Sequence, residues 1–361
     1  MTKGNHHYVP VSYLKNFASQ PRRINICNLR TEQFYRDGSL KDQCYGRKLH
    51  GDTDELEDIL GDLEGVVAPT VSTILERNQL PQPGSIEMQK LMFFTALQTS
   101  RTPTNAGSMA EGFNKMLALA NISEDFTDDY GQAPFFQLKE AVRMSIETSL
   151  AVSNYWSDLS LHLIVNTGRP LFVTSDNPCV VYNQYYEHLK GRGTTGAIKK
   201  GLMIFVPLSP THLILLYDGE VYKVGNKREG ITYLDDPNEL VTLNTLQVVN
   251  ADTVFLFSDW NDVAQLKAVL QRARKYRRPE LSNAVEFVSD NNLGSLFQIY
   301  ATPLNIHLKL SFLDLRRDAK RVPPRQRGLQ NRRSYSHARD PGGYPPTPER
   351  ERFVRKDLRK D

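Results

Sequence analysis

Cysteine and tryptophan are scarce in this chain, and long apolar runs are absent. Its 361 residues hold 3 Cys and 2 Trp. Cys27, Cys44 and Cys179 form a scattered, odd set without metal-ligand spacing. That argues for free thiols in a reducing compartment, and against a disulfide scaffold or a cysteine-ligated zinc site. No stretch approaches the roughly 20 apolar residues that a spanning helix needs, and no apolar leader opens the chain. The expectation is a cytoplasmic protein without a membrane partner. Also missing are a Walker loop, Gly-x-Gly-x-x-Gly after a strand, Gly-x-Ser-x-Gly, His-Glu-x-x-His and Cys-x-x-Cys. These absences argue against a nucleotide triphosphatase, a Rossmann dehydrogenase, an ordinary hydrolase elbow and the common zinc sites. Any metal site, with a divalent ion as the expected class, would have to be assembled from distant segments.

Acidic residues are under-represented at one end. From Arg316 to Asp361 there are 15 Lys/Arg against 6 Asp/Glu, so the mild overall charge of +4 divides into +9 for this segment and −5 for residues 1–315. The same segment has six prolines and almost no aliphatic residues, a composition that cannot bury a core and predicts a disordered basic tail over 316–361. Its arginines, with Tyr335 and Tyr344 for stacking, suit a nucleic-acid partner. A solubilising role suits them equally.

Residues 1–315 read as a single α+β domain, a helical half over about 54–152 packed on a mixed or antiparallel sheet half over about 159–312. Leu56, Ile59, Leu60, Leu63, Val67, Val71 and Ile74 keep helical spacing from an Asp54 cap to about Asn78, with Glu57 as the capping-box partner. A second, centrally buried helix is expected over Ser85–Arg101 and is stopped by Thr102-Pro103. Further helices follow at 106–120 and 135–152, separated by an acidic loop at 124–129. Strands are expected at 23–29, 159–166, 171–174, 179–182, 203–208, 212–217, 221–224, 253–258 and 306–312, helices at 236–250 and 261–276, and a turn at Arg36-Asp37-Gly38.

Three places concentrate chemistry. The opening His6-His7-Tyr8-Val9-Pro10-Val11-Ser12-Tyr13-Leu14-Lys15-Asn16-Phe17 packs two imidazoles, two phenols, an amide and an ammonium beside a stiffening proline. An imidazole is the commonest general base near neutral pH and a frequent metal ligand. The same residues suit a plain hydrophobic staple on the core. Further along, Thr174-Ser175-Asp176-Asn177-Pro178 follows an apolar run, so it would present a carboxylate at a strand end, although these are also favoured turn residues. Finally, Glu57 and Glu64 share one shoulder of the first long helix, while Gln98 and Arg101 share a face near the end of the second. Arg101 in an apolar helix demands a partner, whether a structural carboxylate or a bound phosphate or carboxylate.

The opening resembles that of the domain of unknown function 4238 family, whose members begin with His-x-Val-Pro-x-x-Tyr-Leu-x-x-Phe. The resemblance covers about residues 6–260. It identifies His7 as the family histidine and extends to Ser-Asp-x-Pro at 175–178, to the Glu57…Glu64 spacing and to the Gln98-x-x-Arg101 pair. Membership implies a bacterial protein of the kind met among phage-defence genes. From these residues the expected site has His7, Asp176 and Glu64 as catalytic groups, with Arg101, Gln98, Asn177 and Tyr13 binding substrate. Imidazole, carboxylates and a guanidinium fit phosphodiester cleavage. The expectation is therefore a nuclease-like or toxin effector acting on nucleic acid. The alternative is a non-catalytic nucleotide-, metabolite- or partner-binding protein, and a third reading makes every one of these groups structural.

Overall fold

The computed structural model describes residues 5–47, 49, 55–120, 138–189, 193–226, 229–289, 295–335 and 353–355. Asp54, the acidic loop and Tyr344 lie outside them. The helices are α1 (Val11–Leu14), α2 (Glu55–Arg77), α3 (Ile86–Ser100), α4 (Pro103–Leu119), α5 (Leu138–Tyr155), α6 (Pro237–Asn250), α7 (Val263–Ala273) and α8 (Arg317–Arg321). With the sheets below they make an α+β architecture.

Ser160–Asn166, Met203–Ser209 and His212–Tyr217 are nearly continuous apolar runs, so they need cover on both faces. They occupy the interior of a five-stranded mixed sheet, in the order Ile231–Leu234, Ser160–Asn166, His212–Tyr217, Met203–Ser209, Val180–Tyr182. Ile231–Leu234 runs parallel to its neighbour, and the other pairs are antiparallel. Leu163, Val165 and Ile214 pack with Ile74 of α2 and with Met88 and Leu91 of α3. Ile164, Leu213 and Leu215, pointing the other way, join Leu240 and Leu243 of α6 in a second core. The period-2 alternation of strands sends successive residues into these two cores.

A four-stranded antiparallel sheet runs Phe34–Ser39, Arg23–Asn28, Val254–Phe257, Thr174–Ser175. It places Ser175 and the following Asp176 beside Val254. The opening strand Asn5–His7 pairs antiparallel with Tyr45–Arg47. Val9, Leu14 and Phe17 then bury against Val67 and Phe94, joining the opening segment to α2 and α3.

Several expectations are revised. Arg36-Asp37-Gly38 is no hairpin turn but a bulge inside Phe34–Ser39, where the register slips opposite Ile24–Ile26 and Asp37 takes φ 50°. Asn25 Oδ1 accepts from Asp37 N at 3.2 Å, which steadies the extra residue. Thr102-Pro103 ends α3 and also begins α4, with Thr102 as N-cap and Pro103 at the first turn. The strand expected at 171–174 shrinks to Thr174–Ser175. Residues 306–312 form no strand: Ile306, Leu308, Leu310 and Phe312 are buried while their neighbours are exposed, without a ladder partner. Among the features not anticipated are the parallel strand Ile231–Leu234, the pairing of Asn5–His7 with Tyr45–Arg47, and the antiparallel pair Ser282–Ser289 and Ser295–Ala301 that packs on α4.

The basic segment beyond Arg316 begins as part of the body. Arg316 Nε donates to Tyr222 O at 3.2 Å, and Arg327 NH1 donates to Tyr185 O at 3.1 Å. Arg332 is 3% exposed and grips both oxygens of Asp158, at 2.9 and 3.0 Å. The folded body thus continues past Arg316 to at least Tyr335, and Phe353–Arg355 pairs antiparallel with Ser282–Ser289. Residues 336–352 and 356–361 lie outside the described residues.

Candidate functional site

Helix α3 carries the arrangement. Its buried face leaves no water for a polar group, yet it ends in Gln98 and Arg101, both 0% exposed. The Arg101 guanidinium donates from Nε and NH2 to Gln98 Oε1, at 3.0 and 2.7 Å, and from NH1 to Glu64 Oε1 of α2 at 2.9 Å. Gln98 turns its amide nitrogen to Tyr8 O, at 2.8 Å. Glu64 Oε2 accepts from Ser12 Oγ at 3.1 Å. The Glu-x₆-Glu and Gln-x-x-Arg spacings thereby become one chain, Tyr8–Gln98–Arg101–Glu64–Ser12, that ties the opening segment to both helices. Glu57, two turns before Glu64, accepts from His7 N at 3.4 Å.

Asp176 is 3% exposed, and its carboxylate faces the turn after α6. Oδ1 accepts from Asp252 N at 2.9 Å. Oδ2 accepts from Thr253 N, Thr253 Oγ1 and Val254 N at 2.7, 2.6 and 3.1 Å. Burial pushes its carboxyl above the usual range, while these four donors pull the other way by favouring the charged form. Asn177 Oδ1 accepts from Thr102 Oγ1 at 3.0 Å, and its Nδ2 donates to Asn250 O at 3.1 Å. Tyr13 Oη donates to Pro207 O and accepts from Thr174 Oγ1 at 2.9 Å.

The structure therefore joins Glu64, Arg101 and Gln98 directly and links them to the opening segment. Asn177 is tied to Thr102, next to Arg101, and Tyr13 to Thr174, close to Asp176 in sequence. The Tyr8 phenol lies near enough to Asp176 that this carboxylate helps raise its pKa, after burial itself and Cys44. The bonds of His7 go elsewhere. Its Nε2 lies 3.1 Å from Lys41 O, and its ring stands against Tyr45 at 5.9 Å. A carbonyl only accepts, so the contact places the proton on Nε2 and leaves Nδ1 as the basic nitrogen.

A cavity of about 220 Å³ opens where this network meets the surface. Val67, Val71, Leu75 and Phe94 form its apolar wall, and Ser12 and Glu64 its polar end. Ala68 and Ser72 of α2, with their small side chains, leave the space unfilled. Asn16 also lines it, with its Nδ2 donating to Leu208 O at 3.0 Å.

Sequence reasoning missed two buried histidines. His162 Nε2 lies 2.9 Å from Thr232 Oγ1, and burial lowers its pKa to about 4. It borders a groove of about 790 Å³ shaped by Gln79–Pro83 and Glu229–Ile231. His212 Nε2 meets Asn78 Oδ1 at 2.8 Å. Both sit in apolar strands, where alternation alone marks them as core positions. Among the described residues, no three His, Cys, Asp or Glu side chains group as metal donors. Among them, too, no helix is long and apolar enough to cross a membrane.

Comparison with known families gives one result. The family described as "Protein of unknown function (DUF4238)" matches residues 5–260. The match takes in the opening segment, the α2–α3 network and Asp176, and stops before the Ser282–Ser289 and Ser295–Ala301 pair and the basic segment. No curated protein and no solved structure matches the chain. The chain belongs to the DUF4238 family.

Proposed function

We propose that this DUF4238 member is a binding protein, and that the cavity between its opening segment and α2 takes a small metabolite with an apolar body and a hydrogen-bond-donating end. The observation that carries this reading is the closure of the Arg101 network. Arg101 directs its Nε and NH2 at Gln98 and its NH1 at Glu64, all inside the protein, so the guanidinium supports a wall and does not present itself to a phosphate. Asp176 is similarly enclosed by donors of the 252–254 turn. What remains open to a ligand is the apolar wall of Val67, Val71, Leu75 and Phe94, with the acceptor carboxylate of Glu64 at one end. Apolar walls with a few placed polar groups are the usual make-up of small-molecule sites.

The test is a thermal-shift screen of small amines and amides bearing ring or branched-alkyl bodies, run beside the Ala68→Leu variant. The added side chain would enter the cavity from an exposed helix position without disturbing the core. Hits that raise the melting temperature of the unaltered protein should lose their effect in the variant. A screen without hits, or hits that persist at full strength in Ala68→Leu, would overturn the assignment.

One observation favours a second reading, the nuclease-like effector of bacterial defence. His7 is only partly buried, and the Lys41 carbonyl holds it in the tautomer whose Nδ1 can accept a proton. Under this reading Nδ1 is the general base for phosphodiester cleavage, with Glu57 at the His7 backbone positioning it. Incubating the purified chain with RNA and DNA, with and without divalent metal, tests it: cleavage lost in His7→Ala supports this reading, and no cleavage under any condition removes it.

A further inference from the structure

Arg278 lies beyond the family match, between α7 and the strand Ser282–Ser289. Its NH1 donates to Thr302 O at 2.7 Å. Among the described residues no carboxylate pairs with it. The nearby acids are engaged elsewhere: Lys115 Nζ binds Glu111 Oε1 and Glu280 Oε2 at 2.7 and 3.0 Å, and Glu111 Oε2 also accepts from Leu281 N. Burial alone shifts the guanidinium, lowering its pKa. A partly enclosed cation without a counter-charge asks for an anion.

Arg278 borders a small chamber of about 50 Å³, lined on other sides by the first turn of α4 and by the chain at 301–303. Thr104, Thr195 and Thr302 line it, as does Ser108, whose hydroxyl donates to Leu281 O at 3.1 Å, and no acidic side chain lines it. Its other titratable group, Cys179, has a thiol pushed up to about 12 by burial and stays uncharged. The Thr302 hydroxyl oxygen is fully buried and has no partner among the described residues. The beginning of the 17-residue α4 adds the positive end of its dipole. A guanidinium fork, three threonines and a helix start surround one small space, and they offer donors from several directions, as a tetrahedral oxyanion requires.

Thr302 and Pro303 also border a second chamber, of about 190 Å³. Its character is the opposite. Asn183, with a buried Oδ1 that has no donor among the described residues, lines it together with Glu187, and Tyr186, Leu189 and Leu304 give it flat apolar surface. One chamber suits an anion and the adjoining one a body that donates hydrogen bonds.

We infer that the paired chambers form a binding site for a phosphomonoester of a donor-bearing small molecule, the class that includes the nucleoside monophosphates, with the phosphate on Arg278 and Thr302. The site shares no residue with the cavity at Ser12 and Glu64, so either can fail without the other.

Calorimetric titration of the full chain with adenosine and guanosine monophosphates, inorganic phosphate, adenosine and succinate tests it. At least one monophosphate should bind, with inorganic phosphate and the nucleoside each tenfold or more weaker, because each fills one chamber. Arg278→Gln should weaken the monophosphate at least tenfold and Thr302→Val several-fold, with Arg278→Lys intermediate. The exposed Arg143→Gln change should leave affinity as it is. Melting curves on each variant distinguish lost binding from lost fold. No binding by any monophosphate, tighter binding of succinate, or full affinity in a folded Arg278→Gln protein would overturn the inference.

Discussion

Arg101 and Glu64 meet at 2.9 Å across two helices, the guanidinium side chain 1% exposed and the carboxylate 20%. The pair is half inside and half outside. Removing the carboxylate would leave a buried cation, whereas removing the cation leaves an acid that water can still reach.

The two single changes should therefore differ. Glu64→Leu should destabilise the protein by about 3–5 kcal/mol, the usual cost of breaking a buried pair from one side. Arg101→Met should cost less, because the apolar stem is replaced and Glu64 can turn to solvent. Urea unfolding of both variants measures the difference; equal losses would mean that burial of Arg101 does not control the energetics.

Asp176→Asn should lower stability by roughly 2–3 kcal/mol, since an amide brings two donors into a nest of donors from 252–254 and leaves at least one unpaired. Melting temperature and any ligand affinity should fall together. A folded, fully stable Asp176→Asn protein that loses an activity would instead make the carboxylate a functional group.

His162 predicts an acid limb. Its folded pKa of about 4 lies below the ordinary value of 6.5, so the unfolded chain binds the extra proton first. The stability contributed by the neutral imidazole is present above about pH 6.5 and is lost as pH falls through 4, by roughly 3 kcal/mol in total. His162→Gln should flatten stability against pH in that window. An unchanged slope would assign the acid limb to other groups.

Arg332 is the strap that makes the start of the basic segment part of the fold. Arg332→Ala strands the Asp158 carboxylate and opens the packing at Ala197 and Lys199, whose carbonyls it also caps at 2.9 and 3.2 Å. A loss of about 2–4 kcal/mol is expected, read from thermal or urea melts. A change under about 0.5 kcal/mol, the range of ordinary surface substitutions, would return this segment to the status of an appendage.

The long helices and inner strands were legible because their apolar spacing is strong. α2, α3, α6 and the strands Ser160–Asn166 and His212–Tyr217 follow it closely. The failures have local causes. Asp37-Gly38 has the composition of a turn, and only the register across from Ile24 reveals a bulge. Residues 306–312 alternate as a strand does, but alternation reports burial, not a ladder. Arg316, Arg327 and Arg332 read as solvated charge because their partners are mainly backbone carbonyls and a distant Asp158, which composition cannot show. In the site, the pairing of Gln98, Arg101 and Glu64 could be anticipated from Arg in an apolar helix. That Asp176 would face a turn 76 residues further on could not. Arg278 gave no signal at all, since its meaning lies in the lack, among the described residues, of a carboxylate paired with it.

The central claim is that the opening segment and α2 enclose a ligand cavity walled by the Arg101 network. Methyl-detected NMR on Val67, Val71 and Leu75, during titration with the strongest amine or amide binder, tests it most directly. The account predicts saturable shifts of these three residues in the unaltered chain and none of comparable size in Ala68→Leu. Shifts confined to methyls elsewhere, or identical titrations in both proteins, would contradict it.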